Sequence, residues 1–167
     1  MRIRRAAAGA LLLGTLAGCG IEPSEVIEFG QPATGVHQPG APGWAARLYF
    51  AVVTGVIATP RPADGPVTAE DAVRLMLQGP NEAERTRGIY SDIGIRRPET
   101  DTLVTTERGR VAIRLPVDVT RLTRTARIQL VCTAAHNQVP GGLPWNQVKV
   151  TLSGGGKRLD ALECDRA

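Results

Sequence analysis

Hydrophobic and polar residues along the chain change period in a way that marks out its elements. In "ARLYFAVV", Leu48, Phe50 and Val52 alternate with Arg47, Tyr49 and Ala51, which predicts a strand with one face toward a core. Thr54-Gly55 then offers a turn into "VIATPRP", and Pro60 and Pro62 confine that second strand of a hairpin to a sheet edge. The period lengthens in "TAEDAVRLMLQGP", where Ala69, Ala72, Val73, Met76 and Leu77 recur on one helical face. Thr68 is the expected cap, Glu70 and Asp71 suit the first turn, Glu70 and Arg74 can pair, and Gly79-Pro80 stops the helix. "NEAERTRG" repeats the pattern in one turn, with Asn81 as cap, Glu84 at the third position and Gly88 as stop.

Alternation returns in "TLVTTERGRVAIRLPV", a predicted hairpin with Val111, Ile113, Leu115 and Val117 on one face and Gly109 in the turn. A second long helix is predicted from about Arg121 to Ala135, with Ile128, Val131, Cys132 and Ala135 as its buried stripe. "PGGLPW" reads as a loop, "QVKVTL" as a strand, and "GGGKRLDALEC" as a turn with a last short strand or extended tail. The order predicts an α+β fold, a mostly antiparallel sheet with two main helices packed on one face.

The start of the chain obeys different rules. Arg2, Arg4 and Arg5 precede an apolar run from Ala6 to Ala17, the length of a signal peptide and too short to span a membrane. The Arg4-Arg5 pair lacks the rest of a twin-arginine signal and reads as ordinary charge at the head of the leader. Leu16, Ala17, Gly18 and Cys19 resemble the bacterial lipobox, which implies diacylglycerol on the Cys19 thiol and cleavage before it. The other reading is a plain secretory signal with an incidental cysteine. Residues 1–18 are thus expected to be a lipoprotein signal peptide. Residues 19–43, rich in Gly and Pro and carrying His37, are expected to be a flexible tether. Residues 44–167 are expected to form the domain.

This leader changes the meaning of the charge. The chain carries 20 basic and 16 acidic residues, but removing Arg2, Arg4 and Arg5 leaves 17 against 16, a net charge of +1. That balance argues against a phosphate-binding surface and against nucleic acid as a partner. Only Lys149 and Lys157 are lysines, a bias we read as genomic base composition. Cys132 and Cys164 are the two cysteines left after the leader, and in an exported protein a disulfide is their default state, a free thiol pair the alternative.

"ARLYF", "VTAEDAVRLMLQGPNEAERTRG" and "QLVCTAA" resemble the GerMN domain of sporulation and germination proteins, over roughly residues 45–152. The most specific part is the helix followed by Gly-Pro and an acidic second turn. "IYSDIGIRRPETDTL" departs from the compact loop of that family. Actinobacterial lipoproteins with such a domain behind a lipobox are the nearest likeness. The resemblance implies a non-catalytic binding or scaffolding module of the cell envelope, linked to sporulation, germination or envelope signalling. It carries over no catalytic residue.

A direct search for chemistry agrees with that expectation. Beyond the leader the chain holds three serines (Ser24, Ser91, Ser153) and two histidines (His37, His136), with no nucleophile elbow. Ser91 with His136 is the arrangement that a cell-wall hydrolase or esterase would need. Glu82 with Glu84 and Glu99 with Asp101 come nearest to a metal set, and both read as solvated surface. "SGGGKR" lacks the phosphate-loop spacing and reads as a hairpin turn. Arg121, Arg124 and Arg127 recur every three residues and offer either a solvated helix face or a contact for acidic envelope polymers. Trp145 is either a cap on the core or an exposed stacking platform for sugar or protein. No catalytic residue, metal or cofactor is assigned. The expected partners are the membrane, through Cys19, and an envelope protein or cell-wall polymer. A small-ligand-binding lipoprotein is a third reading, disfavoured because the chain lacks room for two lobes.

Overall fold

A computed structural model describes residues 44–95 and 101–164. Cys19, the tether with His37, and Glu99 lie outside the described residues. Strands β1 (Trp44–Val52) and β2 (Gly55–Ala63) form the expected antiparallel hairpin, with Val52 opposite Gly55 across a two-residue loop. β2 pairs with β1 alone, as its two prolines require. Ala46, Leu48 and Phe50 are fully buried on the inner face of β1. Ala51, expected on the outer face, is buried too. The chain beyond the first helices returns to the free edge of β1, where Ala51 and Tyr90 exchange backbone hydrogen bonds of 2.8 and 2.9 Å.

Helix α1 (Ala69–Leu77) follows its sequence closely. The Thr68 hydroxyl accepts from the Asp71 N–H at 3.1 Å, and Ala69, Ala72, Val73, Met76 and Leu77 are buried. Arg74 pairs with Glu70 at 2.6 Å on the exposed side. Helix α2 (Glu82–Thr86) is a single turn closed by a reciprocal capping box between Asn81 and Glu84.

The second sheet has four strands, β3 (Leu103–Glu107), β4 (Arg110–Arg114), β5 (Lys149–Gly154) and β6 (Lys157–Leu162), in that spatial order. β3–β4 and β5–β6 are antiparallel hairpins, and Gly155-Gly156 is the turn that "SGGGKR" promised. β4 and β5 are parallel. The α+β class therefore stands, while the expected single, mostly antiparallel sheet becomes two sheets, one of them mixed. Parallel neighbours need a crossover, and residues 115–148 supply it with a helix. Where that crossover leaves β4 it passes so close to the end of β5 that a Cβ on Gly154 would sit 2.2 Å from the Val117 carbonyl oxygen.

The crossover helix is α3 (Arg124–Ala135), which starts three residues later than predicted. Thr123 caps it, accepting from Ala126 N–H at 3.0 Å, while Val119–Arg121 form a separate 3-10 turn capped by Asp118. Its burial is not a stripe. Ala126 and every residue from Gln129 to Ala135 are buried, and Ile128 only partly. The reason is that α3 touches α1, β1, β2 and β5, so several of its sides face protein. Gln129 and Thr133 survive there because both are satisfied. Gln129 accepts from Asp92 N–H (2.9 Å) and donates to Tyr49 O (3.3 Å), and Thr133 Oγ1 accepts from Tyr49 N–H (3.0 Å). One apolar core containing Phe50, Met76, Ile113, Leu130 and Leu152 joins the two sheets and the two long helices. Among the described residues no helix is long and apolar enough to cross a membrane.

Candidate functional site

Three rings from distant parts of the chain meet at the C-terminal end of α3. His136 follows the last helical residue, and its Nδ1 and its backbone N–H both lie 3.1 Å from Cys132 O. The Tyr49 ring is 5.0 Å away, tilted by 44°. Trp145 stacks on the imidazole at 4.5 Å with an interplanar angle of 17°. Pro144 and a 3-10 turn over Trp145–Gln147 hold the indole at that angle. Val148, three residues on, is fully buried and closes the core, whereas Trp145 keeps 42% of its surface exposed. The expected alternatives for Trp145 thus resolve away from the core cap.

Burial holds the His136 imidazole below its usual pKa; the Cys132 carbonyl opposes this and the Arg47 charge adds to it. The ring is therefore neutral near pH 7. A neutral imidazole with Nδ1 against a carbonyl carries its proton there. Burial raises the Tyr49 hydroxyl, with Arg47 acting against it. Cys132 and Cys164 are bonded, S–S 2.04 Å, and Cys164 Sγ lies 3.8 Å from His136 Nδ1. The disulfide thus braces the floor of the ring cluster.

Beside the cluster, the loop 137–143 forms one wall of a cleft of about 450 Å³. Thr68 at the start of α1 and Thr106 of β3 stand opposite, and Asn137, Gln138, Pro140 and Leu143 belong to the loop. None of the lining side chains is charged. Asn137 is spent on structure, bonding the backbone of Arg47 (3.1 and 2.9 Å) and Thr133 O (2.7 Å). The loop starts at His136 and ends at Trp145, so the stacked pair closes its base. No family profile, curated protein or solved structure matches the chain.

The other sequence-stated residues do not converge. Arg121 sits in the 3-10 turn, Arg124 opens α3 and is exposed, and Arg127 is partly buried with its Nε out of solvent. The expected arginine row along one helix is corrected to two helical arginines in different environments, because the helix begins after Arg121. No hydrogen bond joins Ser91 to His136. Ser91 Oγ accepts from Ile93 N–H at 3.4 Å, and His136 faces Cys132 O. Glu84 is committed to Arg61 and to Asn81 N–H. Among the described residues, no three His, Cys, Asp or Glu side chains gather as a metal set would. Tyr49, Thr106 and Gln138 escaped the sequence reading as site residues, and His136 entered it only as a partner for Ser91. The loop's paired Gly and Pro beside an isolated tryptophan were the available signal.

Proposed function

We propose that the chain is a lipid-anchored protein on the outer face of the cell membrane. Acyl chains on Cys19 hold it there, and its domain is a non-catalytic, GerMN-like module that binds an envelope protein or cell-wall polymer. The observation that carries this reading is the basic, apolar leader closing on Leu16-Ala17-Gly18-Cys19. Two or more acyl chains give stable anchoring where one does not. The Cys132–Cys164 disulfide suits the oxidising compartment that such a leader reaches. A neutral histidine stacked on Trp145 and touched by the tilted Tyr49 ring, with no nucleophile bonded to it, suits a binding surface better than a hydrolytic one. A role in sporulation, germination or envelope signalling belongs to the same proposal.

Labelling cells with radioactive palmitate tests the anchor. Wild-type protein should take up label and partition with membranes, and Cys19→Ala should do neither. Globomycin should accumulate the unprocessed precursor. An unlabelled wild type processed normally under globomycin would remove the anchoring claim.

A further inference from the structure

We propose that the outer face of the β1–β2 hairpin is a docking surface for a segment of the same chain, Glu25 to Phe29, which lies outside the described residues. The segment straps back over the hairpin, and residues 30–43 join it to Trp44. This docking does not depend on acylation of Cys19.

The two sheets turn different outer faces to their surroundings. Ala46, Leu48 and Phe50 point inward, so the alternate residues of β1 from Ala45 to Ala51 point outward. Their cross-strand partners on the same side are Pro62, Pro60, Ala58 and Val56. Arg47 is the one charged residue of this set. Tyr90, opposite Ala51, adds a side chain that is 45% exposed. The four-stranded sheet supplies the contrast. Its outward positions are mostly polar or charged, with Thr105, Glu107, Arg110, Thr151 and Arg158 among them and Leu103 and Ala112 as exceptions. A sheet face that meets water is expected to have this second composition. The alanine, valine and proline of the first mark a face that something covers.

Pro60 and Pro62 deny a further strand two N–H donors along β2, so the cover comes over the face and not along the edge. Nine residues by two strands make that face about 30 Å by 10 Å. Its area of roughly 300 Å² falls well short of the ~800 Å² per partner in a stable complex. A second copy or a separate protein gains too little there, whereas a segment of the same chain arrives at millimolar effective concentration. Residues 30–43 reach about 45 Å when extended, enough to turn back along the hairpin. The chemistry also fits. In an extended segment Glu25, Ile27 and Phe29 share one side. The apolar pair suits the alanine, valine and proline of the face. The carboxylate suits Arg47, which has no ion pair among the described residues. With Cys19 acylated as proposed above, docking cuts the run from anchor to domain from about 85 Å to about 20 Å.

In a Cys19→Ser chain the Cys132–Cys164 bond leaves no free thiol, so a single introduced cysteine can be timed with a maleimide. Ala58→Cys reports the hairpin face and Thr105→Cys the face of the other sheet, each in the full chain in detergent. Ala58→Cys should label at least about fivefold more slowly with the native segment than with Ile27→Ser and Phe29→Ser together. Glu25→Lys should give a smaller acceleration. Thr105→Cys should label at one rate throughout, with circular dichroism unchanged. A synthetic peptide of residues 24–31, added at millimolar concentration, should restore protection to the Ile27→Ser, Phe29→Ser chain. The inference is overturned if Ala58→Cys labels at the same rate with and without Ile27 and Phe29, whether that rate is fast or slow. It is overturned equally if protection fades on dilution, which marks a second copy as the occupant. Because Cys19 is absent from every chain in this test, loss of the strap would leave the palmitate result standing, and failed palmitate labelling would leave the strap.

Discussion

At the scale of single residues, the contact between Arg61 and Glu84 shows how one ion pair can join three elements. Arg61 leaves β2 and reaches Glu84 at 2.7 and 3.3 Å, donates to Gly79 O at 2.9 Å beyond the end of α1, and lies 5.5 Å over the Phe50 ring. Glu84 also accepts from Asn81 N–H at 2.6 Å, so its carboxylate is almost wholly occupied. Burial alone would push this carboxyl up, but the Arg61 and Asn81 hydrogen bonds and the charges of Arg61 and Arg85 outweigh it and hold it below the usual 4.5. A carboxylate depressed in the folded state stabilises the fold above its unfolded pKa, and that contribution disappears as pH falls below about 4.5. His136 adds an earlier loss. Its depressed pKa means that stability declines once pH drops below the usual 6.5, where the unfolded chain takes up the proton first. Glu84→Gln should cost about 2 kcal/mol at neutral pH by leaving a partly buried guanidinium underpaired. It should also flatten the decline below pH 4.5 while leaving that between 6.5 and 4.5. Urea denaturation across pH checks both statements.

Among the elements, α1 is the one whose sequence and structure agree at every position, because cap, face and stop all act within the helix itself. The Thr68 hydroxyl accepts from Asp71 N–H and donates to Asp71 Oδ2 at 2.7 Å, a local exchange that needs no partner from elsewhere. Thr68→Ala should therefore cost about 1 kcal/mol in a urea melt, and Thr68→Ser much less. Helix α3 is the opposite case. Its Gln129 and Thr133 look solvent-facing by composition, yet they serve the backbone of β1 and of residue 92 in a fully buried position. A periodicity reading weighs polarity, not the partner that makes it tolerable, so it finds Val131, Cys132 and Ala135 on the buried side of α3 but misses Gln129 and Thr133 beside them. The strands behave likewise. Alternation in "RVAIR" and "KVTL" identifies two strands but says nothing about which neighbour each takes, and the parallel join of β4 to β5 stayed hidden. The same holds for the site: Trp145 attracted notice as a tryptophan in a loop, while its stack on His136 depends on a loop path that local pattern does not encode.

For the whole molecule, the tail is secured from two directions. Lys149 pairs with Glu163, and one residue further the Cys132–Cys164 bond crosses from tail to α3. The bonded cysteines are 32 residues apart, so by chain entropy alone reduction should lower stability by about 3.5 kcal/mol. Melting with and without dithiothreitol measures that loss, and amide exchange should show β6 opening before β1 or α3. The parallel join has a consequence for the order of assembly. Each of the three hairpins turns through a two-residue loop and can zip on its own within microseconds. β4 and β5 can meet only after residues 115–148 have been laid across the sheet. A chain synthesised from its first residue thus carries β4 with a bare flank until its final segment emerges. Any pause in synthesis before Lys149 presents that flank to neighbouring chains, making the interval before the last hairpin is complete the aggregation-prone moment in this protein's life.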